Sequence, residues 1–327
     1  MEITRDTTYG EVAALPEFAG FARHIMVCRP ATWELLLRAP ISMTLCEGQE
    51  YQIGRIVRGL AHIKRLVDEG HQVAYDIWDE AACAEDPTRR DVKLFFMPGK
   101  PGAPFMLLLS GGAYLSVCNN TEGFATAPEL VDAGYNVFVL SYRVRLQPLM
   151  PKPLDDVAQA LRFVLERADE LGVGRSYGVM GFSAGGHLAA SWGREDCGYA
   201  AYGLPAPAVL ALCYAVLDFE VLGPGSDPRM VDMVCGGASP AGVGAYSIPC
   251  HVGDGYPPVF FWQCLDDDIV VPGNAERLCR ELERCGIAHQ SRVYARGGHA
   301  LAKPHDHEAD LWLEDALPFM REQLGSA

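Results

Sequence analysis

The chain holds 327 residues, 49% of them hydrophobic, with a formal net charge of −15. That length is enough for one large domain with a sizeable core. The acidic excess and the lack of a strong basic stretch argue against a nucleic-acid partner, and no apolar run approaches the length of a membrane span.

Residues 1–50 carry no catalytic pattern. A short helix is expected over 8–15, and short apolar pieces at 24–28 and 33–37. Apolar residues at Ile53, Ile56, Val57, Leu60, Ile63, Leu66 and Val67 fall at helical spacing, with Gly70 as the stop. Residues 73–78 alternate as a strand would, and 80–90 read as a polar loop. A strand is predicted at 92–97, and the apolar run 105–109 predicts a central strand covered on both faces. It ends in Ser110-Gly111-Gly112-Ala113-Tyr114, where glycines let backbone amides turn toward a ligand.

A helix is expected over 125–133, a strand over 136–141 and a long helix over 153–171. Arg175–Met180 reads as a buried strand running into Gly181-Phe182-Ser183-Ala184-Gly185 and a helix start. A serine at a sharp strand-to-helix turn is a nucleophile elbow, and glycines two residues either side allow the close approach that turn requires. The next strand is near 209–214. Residues 217–256, rich in Gly, Pro, Asp and Ser, read as an insertion that shapes a pocket rather than as a second domain. Strand 258–264 leads into Asp266-Asp267-Asp268. A helix over 274–285 follows, then a strand over 290–295 that meets Gly297-Gly298-His299. The closing helix, 309–324, is expected to be interrupted or bent near Pro318. Strands alternating with helices predict a mostly parallel sheet with helices on both faces. No internal repeat is present.

Ser183, the acidic triplet and His299 therefore stand at the ends of predicted strands, which share one edge of a parallel sheet. A serine needs a neighbouring base to become nucleophilic. Histidine can take its proton and return it to a leaving group, and a carboxylate fixes the histidine tautomer. The oxyanion would be met by amides of Gly112, Ala113 and Ala184, one such donor contributing roughly 3 kcal/mol. His187, one turn after Ser183, is expected to be structural. His305-Asp306-His307 looks like a metal clip, but a solvated loop is the preferred reading.

On these residues the chain resembles the α/β-hydrolase superfamily, and within it the bacterial esterase/lipase branch with acetylxylan-esterase-like and hormone-sensitive-lipase-like members. The resemblance runs from about residue 92 to 324. The order Ser, Asp, His is that fold's triad order. The branch's His-Gly-Gly-Gly oxyanion motif corresponds to Ser110-Gly111-Gly112-Ala113, with serine for the histidine and alanine for the last glycine. The acid has two alignments. Running forward from Trp262 gives Asp267, which is preferred, and counting back from Pro272 gives Asp268. The resemblance implies an α/β-hydrolase core over 91–327 and carboxylic-ester hydrolysis without cofactor or metal. Residues 1–90 become an N-terminal extension, expected to pack over the active site within a single domain.

The expected substrate is a small-molecule, short-chain ester, such as an acetylated carbohydrate. The alternatives are an amidase, formamidase or small peptidase on the same scaffold, and a non-catalytic binding protein. Eleven scattered cysteines without a C-x-x-C pair, and an N-terminus lacking a signal peptide's regions, point to free thiols in the cytoplasm. No pattern specifies an oligomeric state.

Overall fold

The computed structural model describes residues 1–43, 50–237, 239–303 and 307–325. Each long apolar run becomes a strand of one eight-stranded sheet. The strands are β1 (Ala74–Tyr75), β2 (Lys93–Met97), β3 (Phe105–Leu109), β4 (Asn136–Ser141), β5 (Tyr177–Phe182), β6 (Val209–Cys213), β7 (Val259–Cys264) and β8 (His289–Tyr294). Their order is β1-β2-β4-β3-β5-β6-β7-β8. Pairs β1/β2 and β2/β4 are antiparallel. All the others are parallel. Every residue of β3, β4, β5, β6 and β7 is buried, as expected of strands with both faces covered.

Two apolar layers clothe the sheet. One holds helices Lys152–Glu166 and Ser183–Trp192 and includes Leu107, Phe138, Val179, Leu188 and Leu212. The other holds Glu50–Asp68, Gly123–Asp132 and Trp312–Leu324 and includes Leu60, Phe124, Met180, Trp262 and Trp312. The N-terminal residues Tyr9, Phe18 and Ile25 belong to this second layer. Helix Glu50–Asp68 is clamped to its neighbour by Arg55, whose guanidinium donates to both carboxylate oxygens of Glu129, at 2.9 and 3.0 Å, and to Thr126 at 2.9 Å.

Several local expectations are revised. The strand expected over 73–78 shrinks to two residues. The loop expected over 80–90 is a short helix, Glu80–Glu85, and a 3-10 turn, Pro87–Asp91. Asp79 caps the first by accepting from Ala82 N at 2.7 Å, and Asp86 caps the second. The long helix over 153–171 breaks at Arg167 and stops at Gly172, which is left-handed at φ 67°. Pro318 lies inside a continuous helix, and the interruption falls instead at Leu311. The 217–256 insertion contains helices Pro228–Cys235 and Pro240–Tyr246. Buried Asn274 ties its root to the core, accepting from Leu217 N and Asp218 N and donating to the carbonyls of Asp218 and Val221.

Candidate active site

Ser183 follows β5 directly and opens the helix Ser183–Trp192. Its φ of 51° is a left-handed conformation that costs a non-glycine residue energy. Gly185 makes the turn possible, because a Cβ there would overlap the carbonyls of Leu109 and Ser110.

His299 follows Gly297 and Gly298, both at positive φ. Its Nε2 accepts from Ser183 Oγ at 2.8 Å. Its Nδ1 donates to Asp267 Oδ2 at 2.8 Å. The other oxygen of Asp267 accepts from the amides of Ile269 and Val270, each at 2.9 Å. Asp268 turns away and pairs with Lys303 at 3.2 Å on the exposed side. Asp266 does a third job: its Oδ1 accepts from Gly298 N at 2.7 Å, which pins the histidine loop. The three carboxylates of the triplet thus have three different roles.

Gly112, Ala113 and Tyr114 are three consecutive residues at positive φ (129°, 53° and 56°). Backbone at positive φ departs from any regular ladder, so its amides are available to a neighbouring group. Gly112 must be glycine, since a Cβ would collide with Ser116, whereas Ala113 adopts a left-handed φ of 53° without a glycine. The amides of Gly112 and Ala113 donate to no described backbone or side-chain group. The Ala184 amide lies in the first turn of its helix, where N–H groups have no intrahelical acceptor. Gly111 brings this loop against the elbow: its hypothetical Cβ would stand 2.8 Å from Ser183 Cβ.

Two buried side chains, Ser110 and Glu122, support the loop from behind. Ser110, in place of the branch's histidine, is a buried node: its hydroxyl donates to Asn119 Oδ1 at 2.8 Å and accepts from Gly123 N at 3.1 Å. Its carbonyl accepts from Tyr142 at 2.6 Å. Glu122 accepts from the Gly111 amide and from Tyr214 Oη, and the Tyr214 ring packs edge-on to His299. Burial pushes the Glu122 carboxyl up to about 7, against the lowering by its two donors and by nearby His299. A glutamate in a mostly polar stretch gave no periodic signal of burial.

His187 is enclosed by protein. Its Nε2 donates to Tyr246 O at 2.9 Å and its Nδ1 accepts from Tyr114 Oη at 2.8 Å. Burial drives it down to about 4, so it is neutral. Of the 305–307 stretch, His305 and Asp306 lie outside the described residues, and His307 pairs with Asp310 at 3.3 Å. Among the described residues no group of His, Cys, Asp or Glu is arranged to hold a metal ion. No helix among them is long and apolar enough to cross a membrane.

A mostly parallel sheet that delivers serine, carboxylate and histidine in that chain order to its carboxyl edge places the chain among the α/β-hydrolases. Residues 150–327 match the prolyl oligopeptidase family, and the chain belongs to that family. Residues 94–197 also match the family described as BD-FAE, which agrees with the bacterial esterase/lipase branch.

The chain is 30% identical over 229 residues to an endo-1,4-beta-xylanase B of Butyrivibrio fibrisolvens, covering 63% of this chain and 34% of that protein. It is 34% identical over 96 residues to an acetylxylan esterase of Xylanibacter ruminicola, covering 28% and 19%. The chain thus spans about a third or less of these relatives. The solved acetyl ester-xyloside bifunctional hydrolase of Caldicellulosiruptor lactoaceticus superposes with a TM-score of 0.59 at 24% identity, covering 71% of this chain and 88% of that one.

Proposed function

We propose that this protein is a serine carboxylic-ester hydrolase that works through an acyl-enzyme. The observation that carries the reading is the unbroken chain of hydrogen bonds from Asp267 through His299 to Ser183, both links at 2.8 Å. In this reading His299 Nε2 takes the Ser183 proton as Oγ attacks the ester carbonyl. Asp267 holds the tautomer and stabilises the imidazolium. The amides of Gly112, Ala113 and Ala184 receive the negative oxygen. His299 then protonates the leaving alcohol, and the alcohol departs. Water, deprotonated by the same nitrogen, attacks the acyl carbon, and His299 returns that proton to the departing Ser183 Oγ as the acid is released.

The substrate we propose is a short-chain ester, an acetyl group on a carbohydrate. The acetylxylan esterase named among the relatives supports this, as do the short helices of the 217–256 insertion, which offer no long apolar cover for a fatty chain. Residues 1–90 are proposed as an extension walling the approach. In support, Val27 exchanges backbone hydrogen bonds with Val117, at 2.8 and 3.0 Å, beside the oxyanion loop. A cytoplasmic location is proposed with it, since the ten described cysteines are all unpaired.

Amide hydrolysis is the second reading, favoured by the oligopeptidase family match. The test is kcat/KM across acyl chains of two to twelve carbons, acetylated xylo-oligosaccharides, an aryl formamide and a peptide amide, with phosphonate labelling of Ser183 read by mass spectrometry. The reading expects labelled Ser183 and acetyl esters as best substrates. Rates climbing to eight carbons or more remove the short-chain assignment, and a preference for the amides moves the protein to the second reading. An unlabelled Ser183 in folded protein points to a binding protein instead.

A further inference from the structure

A second site candidate lies where the N-terminal segment around residues 20–28 meets Arg90, Lys93 and Arg145. A cavity of about 420 Å³ is lined by Arg23, Arg90, Lys93 and Arg145, with Phe21 and Trp33 supplying aromatic wall. Neither Ser183 nor His299 belongs to its lining. Four cations around one hollow are notable in a chain of net charge −15. Two of them are accounted for internally: Arg90 pairs with Glu80 at 2.7 Å and Lys93 with Asp76 at 2.5 Å. Arg23 and Arg145 have no carboxylate within ion-pair distance among the described residues, Asp91 in the same lining included.

Arg145 is also held in place at some cost. Its backbone sits at φ 60°, a strained value for arginine. Its amide donates to Tyr114 O at 3.0 Å and its guanidinium to Leu115 O at 3.1 Å. Among the described residues this is the one guanidinium hydrogen bond Arg145 makes to protein, leaving the rest of a five-donor fork for other partners. The surroundings are partly dry. Burial, and then the charges of Arg29 and Arg23, lower the Arg145 pKa, against the opposing pull of Cys28 and Asp91. His24, on the same wall, is held at about 4 by burial and then by Lys93 and Arg23, against the opposing pull of Asp76, and its buried Nδ1 has no hydrogen-bond partner. Half-buried Arg145 has lost part of its solvation with no carboxylate in ion-pair reach, and an arriving anion offsets that loss.

We propose that this cavity binds a small organic anion, with its carboxylate or phosphate between the guanidinium groups of Arg23 and Arg145 and its apolar body against Phe21 and Trp33. Planar guanidinium forks match the oxygens of both head groups. The volume falls in the range of small-molecule sites, roughly 300–1,000 Å³. The inference stands apart from the ester-hydrolase reading, because neither Ser183 nor His299 lines the cavity.

The test is calorimetric titration of the full chain at low salt with benzoate, phenyl phosphate and neutral benzamide. The proteins compared are the parent, Arg23→Gln, Arg145→Gln and Ser183→Ala. The proposal expects at least one of the two anions to bind with a dissociation constant below about 1 mM, and at least tenfold more tightly than benzamide. Either glutamine substitution should weaken that anion at least tenfold, and Ser183→Ala should leave it unchanged. Absence of binding by both anions overturns the proposal. So does equal binding of benzamide, parental affinity in Arg23→Gln, or loss of binding in Ser183→Ala. Arg23 is exposed, so its variant keeps the test decisive if Arg145→Gln does not fold.

Discussion

Asp267 and His299 meet at 2.8 Å while the other Asp267 oxygen is fixed by two backbone amides, so the carboxylate reaches the imidazole in a single orientation. Asp268 has no comparable setting: it faces Lys303 and solvent.

The first prediction separates these neighbours. Asp267→Asn should lower kcat by about 10⁴-fold, as expected when the histidine loses its tautomer-fixing partner. Asp268→Asn should stay within about threefold of the parent, because it loses a surface ion pair worth roughly 0–1 kcal/mol. Ester turnover of both folded variants checks this, and a crippled Asp268→Asn beside an active Asp267→Asn would reverse the assignment.

Glu122 gives a prediction about pH. Its carboxyl is raised from 4.5 to about 7 in the fold, chiefly by burial. A raised carboxyl means that the folded state binds the proton more tightly than the unfolded chain. The associated stability is therefore present below about 4.5 and is lost as pH rises through 7, a change of about 3 kcal/mol. Glu122→Gln cannot titrate. Its unfolding free energy relative to the parent should increase between pH 4.5 and 7.5. Urea unfolding at several pH values measures the difference, and a relative stability that stays flat or falls across that window would refute it.

Arg55 tests the attachment of helix Glu50–Asp68. Its guanidinium is buried and shared by Glu129 and Thr126, and it lies 5.5 Å from the centre of the Trp312 ring. Arg55→Ala strands a largely buried Glu129 and should cost about 3 kcal/mol. A loss below 1 kcal/mol in chemical unfolding would mean that the clamp contributes little.

The sequence was most readable where one physical cause dominates. Apolar runs such as 105–109 and 136–141 coincide with β3 and β4 to the residue. The glycines around Ser183 signalled close backbone approach, and such an approach occurs at Gly185. The catalytic candidates were visible because Ser183, Asp267 and His299 sit at strand ends, where a parallel sheet gathers distant residues. What stayed hidden depends on tertiary partners. Asp79 and Asp86 turned an expected loop into helical turns through capping bonds that polarity alone obscured. Glu122 looks like a surface residue in sequence, and only the folded loop buries it behind Gly111. The separate job of Asp266 was equally illegible, since it depends on where Gly298 comes to rest.

Gly111 offers the sharpest test of the oxyanion loop. Its amide donates to buried Glu122, and its α-carbon lies directly over the elbow. A methyl group there would stand 2.7 Å from Phe182 O and 2.8 Å from Ser183 Cβ. Neither is the flexible tip of a side chain, so the loop must move away from Ser183 to admit it. Overpacking of this kind costs about 1–3 kcal/mol of stability, which a domain of this size can survive. The displaced loop carries the amides of Gly112 and Ala113, and losing one oxyanion donor lowers turnover by about 10²–10³-fold. Gly111→Ala should therefore remain folded, with kcat for a short-chain ester reduced by about 10²-fold and KM changed far less, because the lost contact forms in the transition state. Phosphonate labelling of Ser183 should slow in parallel, since it builds charge on the same oxygen. A folded Gly111→Ala protein with parental kcat would show that the amides following Gly111 do not receive the oxyanion.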